Sequence, residues 1–249
     1  MVVETDYDIE ALKRIGRIVA LTRDKMLSAV RPGITTKELD RIGERLLESY
    51  NARSAPIKDY GFPGATCISI NDEIAHGIPG HRVIREGDIV NIDVSAELDG
   101  YYADTGASVV AGKGTIEKLL LCECAKKAVE EAVAVVRAEA PINNIGRVIF
   151  NKAKEYGFQI IRNLSGHGVG KKLHEKPEHI LNYYDIWDNE TLILGQVIAI
   201  ETFICARANY VIEDPKGWVL KTPDGSAGAQ FEHTVIVTKE QPLVLTAVK

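Results

Sequence analysis

Apolar residues recur at intervals of three and four from Asp8 to Val30, with Ile9, Leu12, Ile15, Val19, Met26 and Leu27 on one stripe, which predicts an amphipathic helix. Arg31-Pro32-Gly33 stops it, and Thr35-x-x-Glu38 reads as a capping box that opens a second helix reaching to about Tyr50. After a loop rich in Pro and Gly the pattern changes to short β-like runs at Thr66 to Ile70, Val83 to Ile84 and Asp88 to Val94. Glu97-Leu98-Asp99-Gly100 is a turn signal, and Tyr101 to Val110 is a further strand. The same order then returns. Ile116 to Glu139 predicts a long helix broken by Pro141, Asn144 to Tyr156 a shorter one ended by Gly157, and strands follow at Gln159 to Asn163, Val197 to Ile204, Trp218 to Lys221 and Phe231 to Thr238.

The repetition can be aligned. Gly87-Asp88-Ile89-Val90-Asn91-Ile92-Asp93-Val94 matches Gly195-Gln196-Val197-Ile198-Ala199-Ile200-Glu201-Thr202 at an offset of 108, and Pro32 matches Pro141 at 109. Ala75-His76-Gly77-Ile78 resembles Gly166-His167-Gly168-Val169, and Ala103-Asp104-Thr105 resembles Phe231-Glu232-His233. No long linker separates the two parts. The expectation is one duplicated α+β domain over residues 1–249, with halves at about 8–112 and 113–240.

Composition narrows the partners. With 30 Lys plus Arg against 35 Asp plus Glu the net charge is −5, which argues against nucleic-acid binding by bulk positive charge. No apolar run approaches the ~20 residues of a membrane helix, and the acidic start has no basic n-region of a secretory signal. Cys67, Cys122, Cys124 and Cys205 show no metal-finger spacing, which points to a reducing cytoplasm while leaving one disulfide open.

The alignment puts an acid at the same point of two apolar runs, Asp93 and Glu201. An ionised carboxylate in such a run costs several kcal/mol unless it is paired or binds a metal. Each has a second acid behind it, Asp104 and Glu232. If Glu97 pairs with Gly100 across the turn, Asp93 faces Asp104 directly. If Leu98 pairs with Tyr101, Asp93 faces Gly106 and Asp104 is its diagonal neighbour. Either register brings the side chains within ~5–8 Å. His167, in Ser165-Gly166-His167-Gly168, adds a nitrogen on a backbone that its glycines let approach closely. Four carboxylates and one imidazole suit Mn²⁺, Fe²⁺ or Co²⁺ better than a sulfur-rich zinc site, and four negative charges balance two divalent ions. His76 and His174 lie in Gly/Pro-rich loops, where catalytic groups are commonly mounted. His81, His179 and His233 read as structural or surface residues, and Cys122 and Cys124 as packing.

At these residues the chain resembles the type I methionine aminopeptidases of the short bacterial kind. The resemblance is carried by AHGIPG (75 to 80), GDIVNIDVS (87 to 95), YYADTG (101 to 106), SGHGVG (165 to 170), LHEKP (173 to 177), AIETF (199 to 203) and AQFEHTVIV (229 to 237). It implies the pita-bread fold, a pseudo-two-fold duplicated antiparallel sheet flanked by helices. It also implies a dinuclear site of Co, Mn or Fe, with Zn possible, held by Asp93, Asp104, His167, Glu201 and Glu232. In that resemblance Asp104 and Glu232 bridge the metals, and a metal-bound water attacks the carbonyl after an N-terminal methionine. His174 contacts the carbonyl or oxyanion, His76 assists at the amide, and Glu201 handles the proton. Tyr60, Phe62, Cys67, Leu173, Phe203 and Trp218, with His76 and His174, are the implied substrate contacts. Leu173, Thr202 and Asp59 depart from residues common in relatives, which bears on side-chain preference.

His167 and Glu201 are 34 residues apart, which leaves no room for the helical insertion of type II enzymes. The first helix near residue 8 leaves none for the N-terminal domain usual in proline-directed peptidases of the same fold, the main alternative. A non-catalytic metal-binding homologue is the other, and it conflicts with five intact ligands. The implied substrate is the initiator methionine of nascent polypeptides, met in the cytoplasm with transient ribosome association. Neither direct nucleic-acid binding nor a membrane is expected.

Overall fold

A computed structural model of the protein describes residues 1–215 and 217–247. The first half carries helices α1 (Asp6–Ala29) and α2 (Thr36–Ser49), then β1 (Arg53–Ser54), a π-helical turn (Pro56–Tyr60), β2 (Cys67–Ile70), β3 (Glu73–Ala75), β4 (Ile89–Leu98) and β5 (Tyr101–Val110). The second carries α3 (Ile116–Ala134), α4 (Asn143–Glu155), β6 (Gln159–Ile160), β7 (Ser165–Gly168), β8 (Glu175–Leu181), β9 (Val197–Cys205), β10 (Ile212–Glu213), β11 (Leu220–Lys221), β12 (Gly228–Ile236) and β13 (Leu243–Val244).

Thr35 and Glu38 close the expected capping box at α2. A second box, Thr5 with Asp8, starts α1 two residues earlier than the apolar stripe suggests. The helix expected to Glu139 stops at Ala134. Beyond it Ala138 and Glu139 donate their backbone N–H to the carbonyls of Thr238 and Leu192, so these residues serve tertiary pairing instead of the helix. Val83 and Ile84 make only isolated pairings with residues 33–35. Trp218 lies outside a strand, with φ +68°. The glycine- and proline-bearing runs around His167 and His179, without a clean alternation, are the strands β7 and β8.

Two antiparallel sheets result. In one, β4 is flanked by β5 on one side and by β1 and β2 on the other; the other runs β13-β12-β9-β7-β8, with β6 at the end of β9. A small sheet β10-β11-β3 adjoins them. Helix α1 packs on β4 and β5, and α3 packs on β9 and β12. The alternation along the strands is what positions the site. Val90, Ile92, Val94 and Ala96 enter the core under α1 and α2, so Asn91, Asp93, Ser95 and Glu97 point to the other face. Ile198, Ile200 and Ile204 enter the core under α3 and α4, which turns Glu201 and Phe203 the opposite way. Thr202 on the helix side donates its hydroxyl to the Ala125 carbonyl of α3 at 3.0 Å.

Strands β5 and β12 run side by side without a backbone ladder. Side chains join them instead: Thr234 Oγ1 donates to the Asp104 carbonyl at 2.7 Å, Thr105 Oγ1 to the Glu232 carbonyl at 2.9 Å, and Ser108 Oγ to the Gln230 carbonyl at 2.9 Å. This seam joins the two sheets. All four cysteines are free.

Candidate metal centre

The β4–β5 hairpin resolves the two registers. Leu98 pairs with Tyr101, Asp93 with Gly106 and Ser95 with Asp104, so the two aspartates are diagonal neighbours on one face. In the other sheet Glu201 and Glu232 are direct cross-strand partners. Like charges directly opposite destabilise a sheet unless a counter-charge stands with them.

His167 is fixed by its own backbone. A Cβ on Gly166 would lie 2.4 Å from the Ala199 carbonyl oxygen and one on Gly168 2.1 Å from that of Lys176, so only glycines allow β7 its place between β9 and β8. The ring Nδ1 lies 2.9 Å from the Gly168 carbonyl and donates to it, which leaves Nε2 with its lone pair. That lone pair faces Glu201 Oε1 at 3.3 Å and Asp104 Oδ2 at 3.8 Å. One ligand atom each from Asp104, His167 and Glu232 lies within 4.8 Å of the others.

The donor set fits a divalent cation. Asp104 Oδ1 and Glu232 Oε1 are buried without a hydrogen-bond partner. Burial pushes Asp93 up to about 6. Burial, then the charges of Asp93 and Glu201, hold Asp104 well above the carboxylate range. Burial and Asp93 do the same for Glu201, and burial, Asp104 and Glu201 for Glu232. Burial and the neighbouring His174 press His167 down to about 3, so its ring is neutral. A lone pair and crowded carboxyl groups in one buried cluster are repulsive alone and complementary to positive charge.

Two cavities meet at this cluster. The smaller, about 210 Å³, is bordered by Tyr60, Phe62, Cys67, Leu173, His174 and Trp218. It lies below the ~300–1,000 Å³ of a typical ligand pocket, a size for one side chain. Phe62 and Trp218 meet edge to face at 5.3 Å, and Cys67 and Leu173 are buried. The larger, about 450 Å³, leads past Asn91, Arg162, Ser165, His179 and Gln230. His76, Asp93, His167, His174 and Glu201 border both. His76 adopts φ +56°, and partial desolvation by the surrounding protein lowers its basicity. Partial desolvation and the neighbouring His76 lower that of His174, whose ring stands 4.2 Å from that of His167. Tyr60 contacts His174 Nδ1 at 2.5 Å.

Seven of the eight expected substrate contacts line the small cavity. Phe203 does not; it packs with Ile74, Ala75 and Ile161 and forms a wall of the larger one, since β9 carries it past the ligands. His179, read from the sequence as structural or surface, borders the larger cavity and bonds Ser165 Oγ at 3.1 Å. Sequence reasoning missed Pro56, Ser95, Asn91 and Gln230. Asn91 and Ser95 share the strand face of Asp93, and Gln230 that of Glu232, so the period-2 rule was a usable signal for all three. Pro56 had none.

Known proteins place this arrangement. The pattern of metallopeptidase family M24 matches residues 10–239. The methionine aminopeptidase 2 of Bacillus subtilis is 49% identical over 99% of this chain and 99% of its own length. The crystal structure of methionine aminopeptidase from Thermotoga maritima superposes with a TM-score of 0.95 at 31% identity, each chain covered to 100%. The prolidase from Pyrococcus furiosus shares the fold, with a TM-score of 0.78 at 24% identity over 100% of this chain and 66% of its own. This pita-bread chain belongs to metallopeptidase family M24.

Proposed function

We propose that the protein is a metal-dependent aminopeptidase that removes methionine from the N-terminus of polypeptides, of the short type I kind. The observation that carries the reading is the meeting of a small side-chain cavity with a larger one at four of the five candidate metal-binding side chains, Asp93, Asp104, His167 and Glu201. Asp93, Asp104, His167, Glu201 and Glu232 would hold two divalent ions of the Mn, Fe or Co class, Zn being the further candidate. When bound, the ions supply Lewis-acid activation of water and of a carbonyl oxygen. The chain's own residues do the rest. The small cavity takes the methionine side chain against Phe62, Cys67, Leu173 and Trp218, and its volume of about 210 Å³ suits one side chain. The open cavity leads the remaining peptide out past Gln230 and His179. Neutral His174 faces the carbonyl of the scissile bond as a hydrogen-bond donor, His76 meets the amide, and Glu201 takes the proton released by the attacking water.

The 34-residue interval between His167 and Glu201 supports type I, and near-half identity to methionine aminopeptidases over the full chain supports the substrate. The likeness to prolidase concerns fold alone. We further propose one catalytic domain over 1–249, with halves at about 8–112 and 113–240 that each lend ligands. Nascent chains as substrate put the protein in the cytoplasm with transient contact to the ribosome. Among the described residues no helix is long and apolar enough to cross a membrane.

The test is hydrolysis of Met-Ala-Ser by metal-stripped protein reloaded in turn with Mn²⁺, Fe²⁺, Co²⁺ and Zn²⁺, beside Ala-Pro-Ser. Methionine release by at least one loaded form, lost in His167→Ala and Glu232→Ala, is expected. Preference for Ala-Pro-Ser overturns the substrate. Stoichiometric metal binding with no turnover overturns the enzyme.

A further inference from the structure

We infer that Tyr60 is a positioning residue that sets the tautomer of His174, so that the ring proton sits on Nε2. The inference rests on the proposed reading in one respect, that His174 faces the scissile carbonyl.

The phenolic oxygen of Tyr60 lies 2.5 Å from His174 Nδ1, and the two rings stand tilted with centroids 5.6 Å apart. Among the described residues Nδ1 is the one hydrogen-bond partner of that oxygen. A neutral imidazole carries one N–H, and the hydrogen bond at one nitrogen decides which. If Nδ1 donated to the phenol, the Nε2 lone pair would face the scissile carbonyl of the proposed reading, acceptor against acceptor. If the phenol donates to Nδ1, Nε2 carries the proton to meet it. The second arrangement pairs every donor with an acceptor.

The neighbouring ring is fixed the other way. His167 Nδ1 donates to the Gly168 carbonyl, so its Nε2 offers a lone pair to the cluster. Two imidazoles 4.2 Å apart are thereby held in opposite tautomers, one a ligand and one a donor. Tyr60 is itself held. It ends the π-helical turn Pro56–Tyr60, whose Lys58 and Asp59 bind each other at 3.0 Å. Tyr102, near the start of β5, donates its hydroxyl to Asp59 at 3.1 Å and accepts from Lys58. Asp59, one of the departures from relatives, thus helps to anchor the turn that aims Tyr60.

The experiment is Tyr60→Phe, which keeps the ring and removes the O–H. Long-range ¹H–¹⁵N correlation of histidine-labelled, Zn²⁺-loaded protein reads the tautomer without substrate, with His174→Gln assigning the peaks. Wild type is expected to show His174 protonated at Nε2 alone, and Tyr60→Phe a mixture of both tautomers. In the metal form active on Met-Ala-Ser, kcat is expected to fall about 10- to 100-fold, the scale of losing one aligned oxyanion donor. KM and Mn²⁺ affinity are expected to stay within about twofold. Protonation of His174 at Nδ1 in wild type, an unchanged tautomer in the variant, or full kcat in the variant overturns the inference. Wild type that cleaves no peptide overturns the proposed function instead, and the spectra still decide the tautomer.

Discussion

Gly106→Ala is a small change aimed at the centre of the molecule. Gly106 sits opposite Asp93, and an added Cβ would lie 2.1 Å from Gln230 Oε1 and 2.6 Å from its Nε2. Gln230 cannot yield freely. It is 2% exposed, accepts from Asn91 Nδ2 at 2.8 Å and donates to Glu232 Oε2 at 3.1 Å. Making room breaks both bonds, worth about 1 kcal/mol for the neutral one and about 2 kcal/mol for the one to a carboxylate. Residual crowding adds ~1 kcal/mol, and removing a glycine from a strand returns ~0.5–1 kcal/mol. The net loss is about 3 kcal/mol. Unfolding entropy of ~2.1 cal/mol/K per residue over 249 residues converts that to a fall in Tm of about 6 °C. Glu232 also loses the amide that orients it, so Mn²⁺ affinity should fall ~10- to 100-fold, as when a ligand's supporting hydrogen bond is removed. Scanning calorimetry in chelator and isothermal titration with Mn²⁺ read the two effects. A Tm within about 1 °C of wild type together with unchanged Mn²⁺ affinity would refute the packing argument.

Metal should stabilise the fold by mass action: at 100 times Kd the gain is about 2.7 kcal/mol, or ~5 °C in Tm, reversed by chelation. A Tm indifferent to Mn²⁺ and to chelator counts against a metal site formed by folding. Asp8 accepts from Tyr101 at 2.6 Å and from Thr5, which holds its carboxyl at about 2 against an ordinary 3.8. Because the folded value is the lower one, its contribution is present above pH 4 and lost as pH falls from about 4 to 2. The stability gap between wild type and Asp8→Asn, about 2 kcal/mol at most, should close over that window; a gap independent of pH sinks the assignment. Trp218→Ala removes the edge-to-face partner of Phe62 and should raise KM for Met-Ala-Ser about tenfold while Mn²⁺ titrations stay unchanged. Unaltered KM would move the methionine pocket elsewhere.

The clustering of the candidate ligands is legible because a carboxylate in an apolar strand has few comfortable explanations, and two such strands align. The strand pattern alone admits both registers, although Asp99-Gly100 carries the answer. Both residues are left-handed, at φ +52° and +81°, as an Asp-Gly hairpin turn requires, which pairs Leu98 with Tyr101. The early start of α1 escaped because its box closes with Asp8 in place of Glu or Gln. Strands β7 and β8 escaped for a stronger reason. Glycines there are selected by the carbonyls of neighbouring strands, and that crowding exists only once the sheet has formed. The placement of Phe203 in the outer wall, not the inner pocket, likewise depends on how far β9 runs past the ligands.

The hydroxyl-stitched seam between β5 and β12 bears on when the protein becomes competent during its own synthesis. Asp104 is translated early, but its partner across the seam, Glu232, emerges with the last long strand. Until residues 228–236 have left the ribosome and docked on β5, the growing chain has at most four of the five proposed ligands and no carboxylate opposite Asp104. On the proposed ligand set, a complete metal site therefore exists only after β12 has docked on β5, and metal bound there would tie the first half of the domain to the second.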